Sequence, residues 1–191
     1  MPQIRGDLWL IRHGETEWTL SGAHTGRTNL PLTENGKQQA LAVRDELAGR
    51  AFALVLVSPL DRARETCRLA GYADHAVVDP NLAEWCYGSY EGRTSAQIQA
   101  ERPGWTIWDD GPLGGETIDQ VAARADSAIA RALAANGDVA LFAHGHLLRI
   151  LTARWLEMPP IAARRFALET GSVSVLGYER DTRVIERWNL R

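Results

Sequence analysis

Arg12, His13 and Gly14 stand in a row directly behind the apolar run at residues 8–11. Arginine forks onto phosphate oxygens through two parallel hydrogen bonds, and a neutral imidazole can act as a nucleophile. Glycine lets the backbone turn tightly and approach a bound group. Taken alone, the tripeptide reads equally well as a strand end with a solvated cation and ring. Two more segments have compatible chemistry. Ser58 and Arg62 follow the apolar run Leu54–Val57, and His144-Gly145-His146 follows Val139–Ala143.

Those apolar runs are the elements that must position the polar residues. Residues 8–11, Leu54–Val57 and Val139–Ala143 read as buried strands, and Ala76–Val78 as a weaker one. Between them, apolar residues at helical spacing predict helices over 34–48, Asp61–Leu69 and from Ile118 to near Asn136-Gly137. Thr33 looks like an N-cap, and Thr94 to Gln97 and Thr117 to Gln120 match the capping box. A helix is expected to follow His144 to about Leu156. Residues 172–178 and 182–188 read as a closing antiparallel pair of strands. The alternation predicts an α/β fold, a three-layer α/β/α sandwich around a mostly parallel central sheet. Right-handed crossovers bring the C-terminal ends of its parallel strands to one edge, where open sheets of this kind bind ligands. Arg12, His13, Ser58, Arg62 and His144 are therefore expected to meet.

The 191 residues fit one domain, 1–191, with 45% apolar and 24% charged residues, which is ordinary for a globular chain. A net charge of -3 argues against general affinity for nucleic acid or an anionic membrane. Cys67 and Cys86 make no disulfide framework. No apolar leader follows Arg5 and no run reaches membrane-spanning length, so the expected location is the cytoplasm.

Four motifs occur in order: Arg12-His13-Gly14-Glu15-Thr16, then Ser58 to Thr66, Leu82-Ala83-Glu84-Trp85 and His144-Gly145. Together they resemble the histidine phosphatase superfamily, also called phosphoglycerate-mutase-like. Thr25-Gly26 followed by Leu30-Pro31-Leu32-Thr33 strengthens the likeness. Tyr87-Gly88, Tyr90-Glu91-Gly92 and Trp105 with Trp108 place it nearest the family's small-molecule phosphatases. The resemblance implies a metal-independent phosphomonoesterase acting on small phosphorylated metabolites, with no cofactor. His13 would take the phosphoryl group, while Arg12, Arg62 and His144 surround its equatorial oxygens. Glu84 would protonate the leaving oxygen and then deprotonate the attacking water. Thr25 and Gly26 match the family's phosphate-contacting pair, and the Gly145 amide would add a donor. The arginines and a protonated imidazole would supply the positive charge in place of a metal. Thr19 departs from the family's usual Asn after Trp18, although a hydroxyl still offers one hydrogen bond.

Two other functions compete on the same fold. A cofactor-dependent phosphoglycerate mutase is longer and has a basic insertion after the Glu84-like position. Here residues 85–115 set Arg93 and Arg102 against Glu91, Glu101, Asp109 and Asp110, so a second phosphate finds few partners there. A non-catalytic phosphate-binding regulator is the other reading, and the presence of all five catalytic side chain types counts against it. His144-x-His146 lacks a third ligand for a metal, so His146 reads as a helix-start residue near the site. His24 and His75 have no assigned role. Trp85, Tyr87, Tyr90, Trp105 and Trp108 read as core or as a wall around the leaving group. A homodimer is left open.

Overall fold

A computed structural model describes residues 6–191; Arg5 lies outside the described residues. Strand β1 (Leu8–Arg12) pairs in parallel with β4 (Val139–Ala143), and β4 in parallel with β2 (Leu54–Val57). The edge strand β3 (Ala76–Val78) adds to β2, also in parallel. On the far side β5 (Val173–Glu179) runs antiparallel to β1, and β6 (Thr182–Leu190) antiparallel to β5. The spatial order is β3-β2-β4-β1-β5-β6.

The register decides the function of this sheet. Arg12 lies opposite Ala143, and Val57 opposite Phe142, so the three central strands end nearly level. The ladder then continues one residue further. The His13 amide donates to the Ala143 carbonyl and the Ser58 amide to the Phe142 carbonyl, each at 3.0 Å. His13, Ser58 and His144 therefore leave the sheet side by side.

Alternation along the strands feeds two cores. Leu8, Leu10, Leu56 and Leu141 pack on one face with α5 (Ile118–Leu133) and α6 (Gly145–Trp155). Trp9, Ile11, Val55, Val57, Ala140 and Phe142 pack on the other face with α2 (Glu34–Leu47) and α3 (Asp61–Leu69). Helix α5 begins with the expected capping box at Thr117 and Gln120 and buries Val121, Ala125, Ala128, Ile129 and Ala132. It stops at Leu133, one turn short of the expected Asn136-Gly137, with Ala134 as its C-cap. The sequence reading also missed a one-turn helix, α1 (Glu17–Ser21), which Thr16 and Thr19 cap reciprocally. Helix α4 (Ser95–Glu101) starts with the capping box of Thr94 and Gln97, as expected.

Candidate active site

The sheet edge delivers His13 into a buried position with its ring already oriented. Its Nδ1 meets the Gly14 carbonyl at 2.7 Å, and a carbonyl can only accept, so Nδ1 holds the ring hydrogen. The lone pair is therefore on Nε2, where the Arg62 Nε–H donates at 3.3 Å. Burial first, then the charges of Arg62 and Arg12, push the imidazolium form well below its usual range. His13 is held neutral with Nε2 basic, which is the form a nucleophile needs.

Arg62 is fully buried on α3. One Nη2 donates to the carbonyls of Thr25 and Gly26 at 3.0 and 2.9 Å, and Nη1 to that of Thr28 at 3.0 Å. Thr66, one turn along the helix, donates to the Arg62 carbonyl and accepts the Gly14 amide at 3.0 Å. Arg62 is thus clamped against His13.

His144 ends β4 with its ring centroid 5.1 Å from that of His13. Its Nε2 lies 2.7 Å from the Ser58 hydroxyl, which also accepts the Leu60 amide. In these hydrogen bonds Nε2 is the one acceptor for the Ser58 hydroxyl hydrogen, which assigns the ring hydrogen of His144 to Nδ1. Burial, with Arg62 and His13 adding to it, pushes the imidazolium of His144 well below its usual range. In the free protein it is thus a neutral donor, where the sequence reading expected a protonated ring.

Two donors here are buried and have no hydrogen-bond partner: Nε of Arg12 and Nδ1 of His144. Orphaned buried donors are costly, and at a functional site they mark where a ligand acceptor belongs. Arg12 is held by its Nη1 donating to the Leu168 carbonyl. Its guanidinium also lies against Gly145, where a Cβ would stand 3.2 Å from Cζ, so the glycine makes room for it.

Glu84 is 5% exposed and lines the same cavity as Arg12 and His13. Its carboxylate accepts the amides of Trp85, His146 and Leu147 at 2.9, 3.0 and 2.9 Å. It takes two of the first three amides of α6, those of His146 and Leu147, and not that of Gly145. Arg124 steadies the segment by donating to the carbonyls of Asn81 and Ala83 while pairing with Glu116.

The remaining expected residues divide. Thr19 and Thr25 line the cavity, but their hydroxyls are engaged, Thr19 with the Thr16 backbone and Thr25 with the Ala23 carbonyl. Gly26 does not reach the cavity; its amide serves Glu91 and its carbonyl serves Arg62. In this structure its carbonyl helps to hold Arg62, and, like Gly26, the Arg62 and His144 side chains stand behind the cavity lining. Sequence reasoning set Ser58 at the edge without a task, and it missed Thr66 and Arg149. Arg149 follows Gly145 by four residues on α6, and that spacing is a signal that could have found it.

The cavity has a volume of about 420 Å³, and Tyr87, Trp105, Trp108, His24 and His146 form its outer wall. Trp85, Tyr87, Tyr90 and Trp105 are buried core, and of these Tyr87 and Trp105 also line the cavity. Among the described residues, no group of three or more His, Cys, Asp or Glu is arranged to hold a metal ion. Nor is any helix long and apolar enough to cross a membrane.

Comparison with known proteins agrees with this geometry. Residues 8–191 match the model of the histidine phosphatase superfamily, branch 1. An acid phosphatase of Mycobacterium tuberculosis is 42% identical over 92% of this chain and 88% of its own. A sedoheptulose 1,7-bisphosphatase of Saccharomyces cerevisiae is 37% identical over 83% of this chain and 70% of its own. The solved structure of an open reading frame of M. tuberculosis superposes with a TM-score of 0.92 at 40% identity, covering 97% of each chain. By family model, sequence and superposition alike, the chain belongs to the histidine phosphatase superfamily.

Proposed function

We propose that this phosphatase is a metal-independent phosphomonoesterase that works through a phosphohistidine at His13. The observation that carries the proposal is the His13 tautomer. Its Nε2 carries the lone pair, its ring lies 5.1 Å from that of His144 and it lines one cavity with Arg12, while Nε of Arg12 and Nδ1 of His144 are buried without partners. A phosphoryl group bonded to Nε2 would give both donors an oxygen, with the Nε–H of Arg62 beside the same nitrogen. Charge spread over phosphoryl oxygens in a loose transition state is what such donors stabilise.

The two steps follow from the layout. Nε2 bonds to phosphorus as the ester P–O bond breaks, and the leaving oxygen takes a proton from the carboxyl of Glu84. Water then attacks the phosphohistidine, giving its proton to the Glu84 carboxylate as the N–P bond breaks and phosphate departs. Small phosphorylated molecules fit the cavity, and the named relatives, an acid phosphatase and a sugar bisphosphatase, are consistent with that class. Hydrolysis is favoured over mutase chemistry because Arg93 is paired with Glu101 and Arg102 with Tyr90, so neither cation of residues 85–115 is kept for a phosphorylated cofactor.

Replacing His13 by Ala tests the proposal. Turnover of p-nitrophenyl phosphate and the one-phosphoryl mass increase on the His13 peptide of quenched enzyme should both disappear. A variant that keeps either one rules out His13 as the nucleophile.

A further inference from the structure

His13 and Glu84 line a cavity that also holds groups which cleaving a bare phosphomonoester does not require. Arg149 lies four residues beyond Gly145 on α6, about 6 Å along the axis, and both residues line the cavity. Its guanidinium sits 4.5 Å over the Trp108 ring. It donates from Nε to the Ala163 carbonyl at 3.2 Å and from Nη2 to the Arg164 carbonyl at 3.3 Å. Among the described residues, no carboxylate lies within ion-pair distance of it. By contrast, Arg124, Arg131, Arg154 and Arg164 each have one.

His146 adjoins this cation. Its Nδ1 lies 2.6 Å from the Tyr87 hydroxyl, and its ring is tilted against Trp108 with 4.9 Å between centroids. Nδ1 is the one hydrogen-bond acceptor that the Tyr87 hydroxyl meets, so Tyr87 donates there and the ring hydrogen falls on Nε2. Burial, then the Arg149 charge, disfavours the imidazolium, so His146 is a neutral donor. Burial and the charge of Arg12 likewise work against the Arg149 cation, while Glu84 and Tyr87 favour it. A partly buried cation with no counter-ion is a poor structural element but a good half of a binding site.

We propose that Arg149, with His146 beside it, forms a second anion subsite for a carboxylate or second phosphoryl group on the leaving group of the substrate. Short phosphorylated acids and bisphosphates are then the preferred substrates. This rests on the phosphatase reading and extends it. Residues 85–115 do not supply the partners for such a group; helix α6 does, from the face that also holds Gly145.

Matched substrates test it. Wild-type kcat/KM is compared for 3-phosphoglycerate against glycerol 3-phosphate, and for fructose 1,6-bisphosphate against fructose 6-phosphate, with p-nitrophenyl phosphate as reference. A charge-assisted contact made only by the anionic member predicts a preference of about 10- to 100-fold in at least one pair. Preference in the first pair identifies a carboxylate as the ligand, and in the second a phosphoryl group. Arg149→Met should collapse the ratio, Arg149→Lys should keep part of it, and added salt should reduce it. Equal rates within both pairs for the wild type, alongside hydrolysis of p-nitrophenyl phosphate, would overturn the subsite and leave the phosphatase standing. An Arg149→Met variant slowed on every substrate in the same proportion also overturns it. Phosphate release from none of the five removes both readings together.

Discussion

Arg62 donates its Nε–H to Nε2 of His13 at 3.3 Å, so a buried cation meets the lone pair of a neutral imidazole. The contact locates the basic nitrogen and opposes its protonation. Among the described residues, no other side chain donates to that nitrogen.

The first prediction concerns pH. Protonated His13 cannot attack, so kcat/KM should fall on the acid side with the pKa of His13, which lies well below 6.5. Removing the Arg62 charge takes away one cause of that lowering. The acid limb of Arg62→Met should therefore move to higher pH, whereas Arg62→Lys should leave it nearer the wild type. The position of the limb is the readout, whatever the loss in rate. A limb unmoved in Arg62→Met would show that the charge of Arg62 does not act on the nucleophile.

The Ser58 hydroxyl hydrogen-bonds to the His144 ring and the Leu60 amide, and by donating to Nε2 it selects which nitrogen of His144 bears the hydrogen. Ser58→Ala should lower kcat by roughly tenfold, the equivalent of one hydrogen bond of about 1–1.5 kcal/mol. Ser58→Thr, which restores the hydroxyl, should recover much of it. Parallel losses in Ala and Thr would reduce the effect to packing.

Glu84→Gln should slow hydrolysis by about 10²–10⁴ when the leaving oxygen needs a proton. p-Nitrophenolate needs little help, so its ester should suffer less in the phosphorylation step than an alkyl phosphate. Burst kinetics separate that step from dephosphorylation, and equal losses in the first step would exclude the acid role.

Stability should also fall in acid. His13, His144 and His146 all have folded pKa values well below the 6.5 of the free side chain, with burial the largest cause. Below about pH 6.5 the unfolded chain therefore binds protons that the folded chain refuses. The slope of unfolding free energy with pH is then positive, up to about 1.4 kcal/mol per pH unit for each such group. Above pH 6.5 these rings contribute no slope. Denaturant midpoints between pH 7 and 5 should fall, and His146→Gln should shallow the fall. A flat profile would mean that the rings charge inside the fold.

Thr66 joins two parts of the site by accepting the Gly14 amide and donating to the Arg62 carbonyl. Thr66→Val keeps the volume but leaves a buried N–H without a partner, at a cost of about 1–3 kcal/mol. Calorimetry should show the lowered Tm. An unchanged Tm would mean that the Gly14 amide finds another acceptor.

Much of this fold was legible because its determinants are local. The capping boxes at Thr94 and Thr117 and the N-cap at Thr33 depend on residues three positions apart, and each is present as read. The apolar runs mark the central strands, since a strand covered on both faces needs no polar alternation. Their order then implies one sheet edge for His13, Ser58 and His144. The end of α5 was placed too late because the Asn136-Gly137 stop signal lies beyond the last helical turn, and the short helix α1 was missed because, capped though it is, its five residues bury nothing and so show no apolar stripe.

What each site residue touches was decided only by the tertiary structure. Arg62 meets carbonyls 34 to 37 residues away, Glu84 meets amides 62 and 63 residues away, and Ser58 meets a ring 86 residues away. No periodicity encodes such pairings, because they follow from strand register and from which donors burial leaves unsatisfied. The sequence by itself therefore named the chemical groups and the edge where they gather. Which nitrogen of His13 carries the lone pair, that burial disfavours the His144 imidazolium, and that the Gly26 carbonyl holds Arg62 all came from packing, since only burial makes a hydrogen bond's partner compulsory.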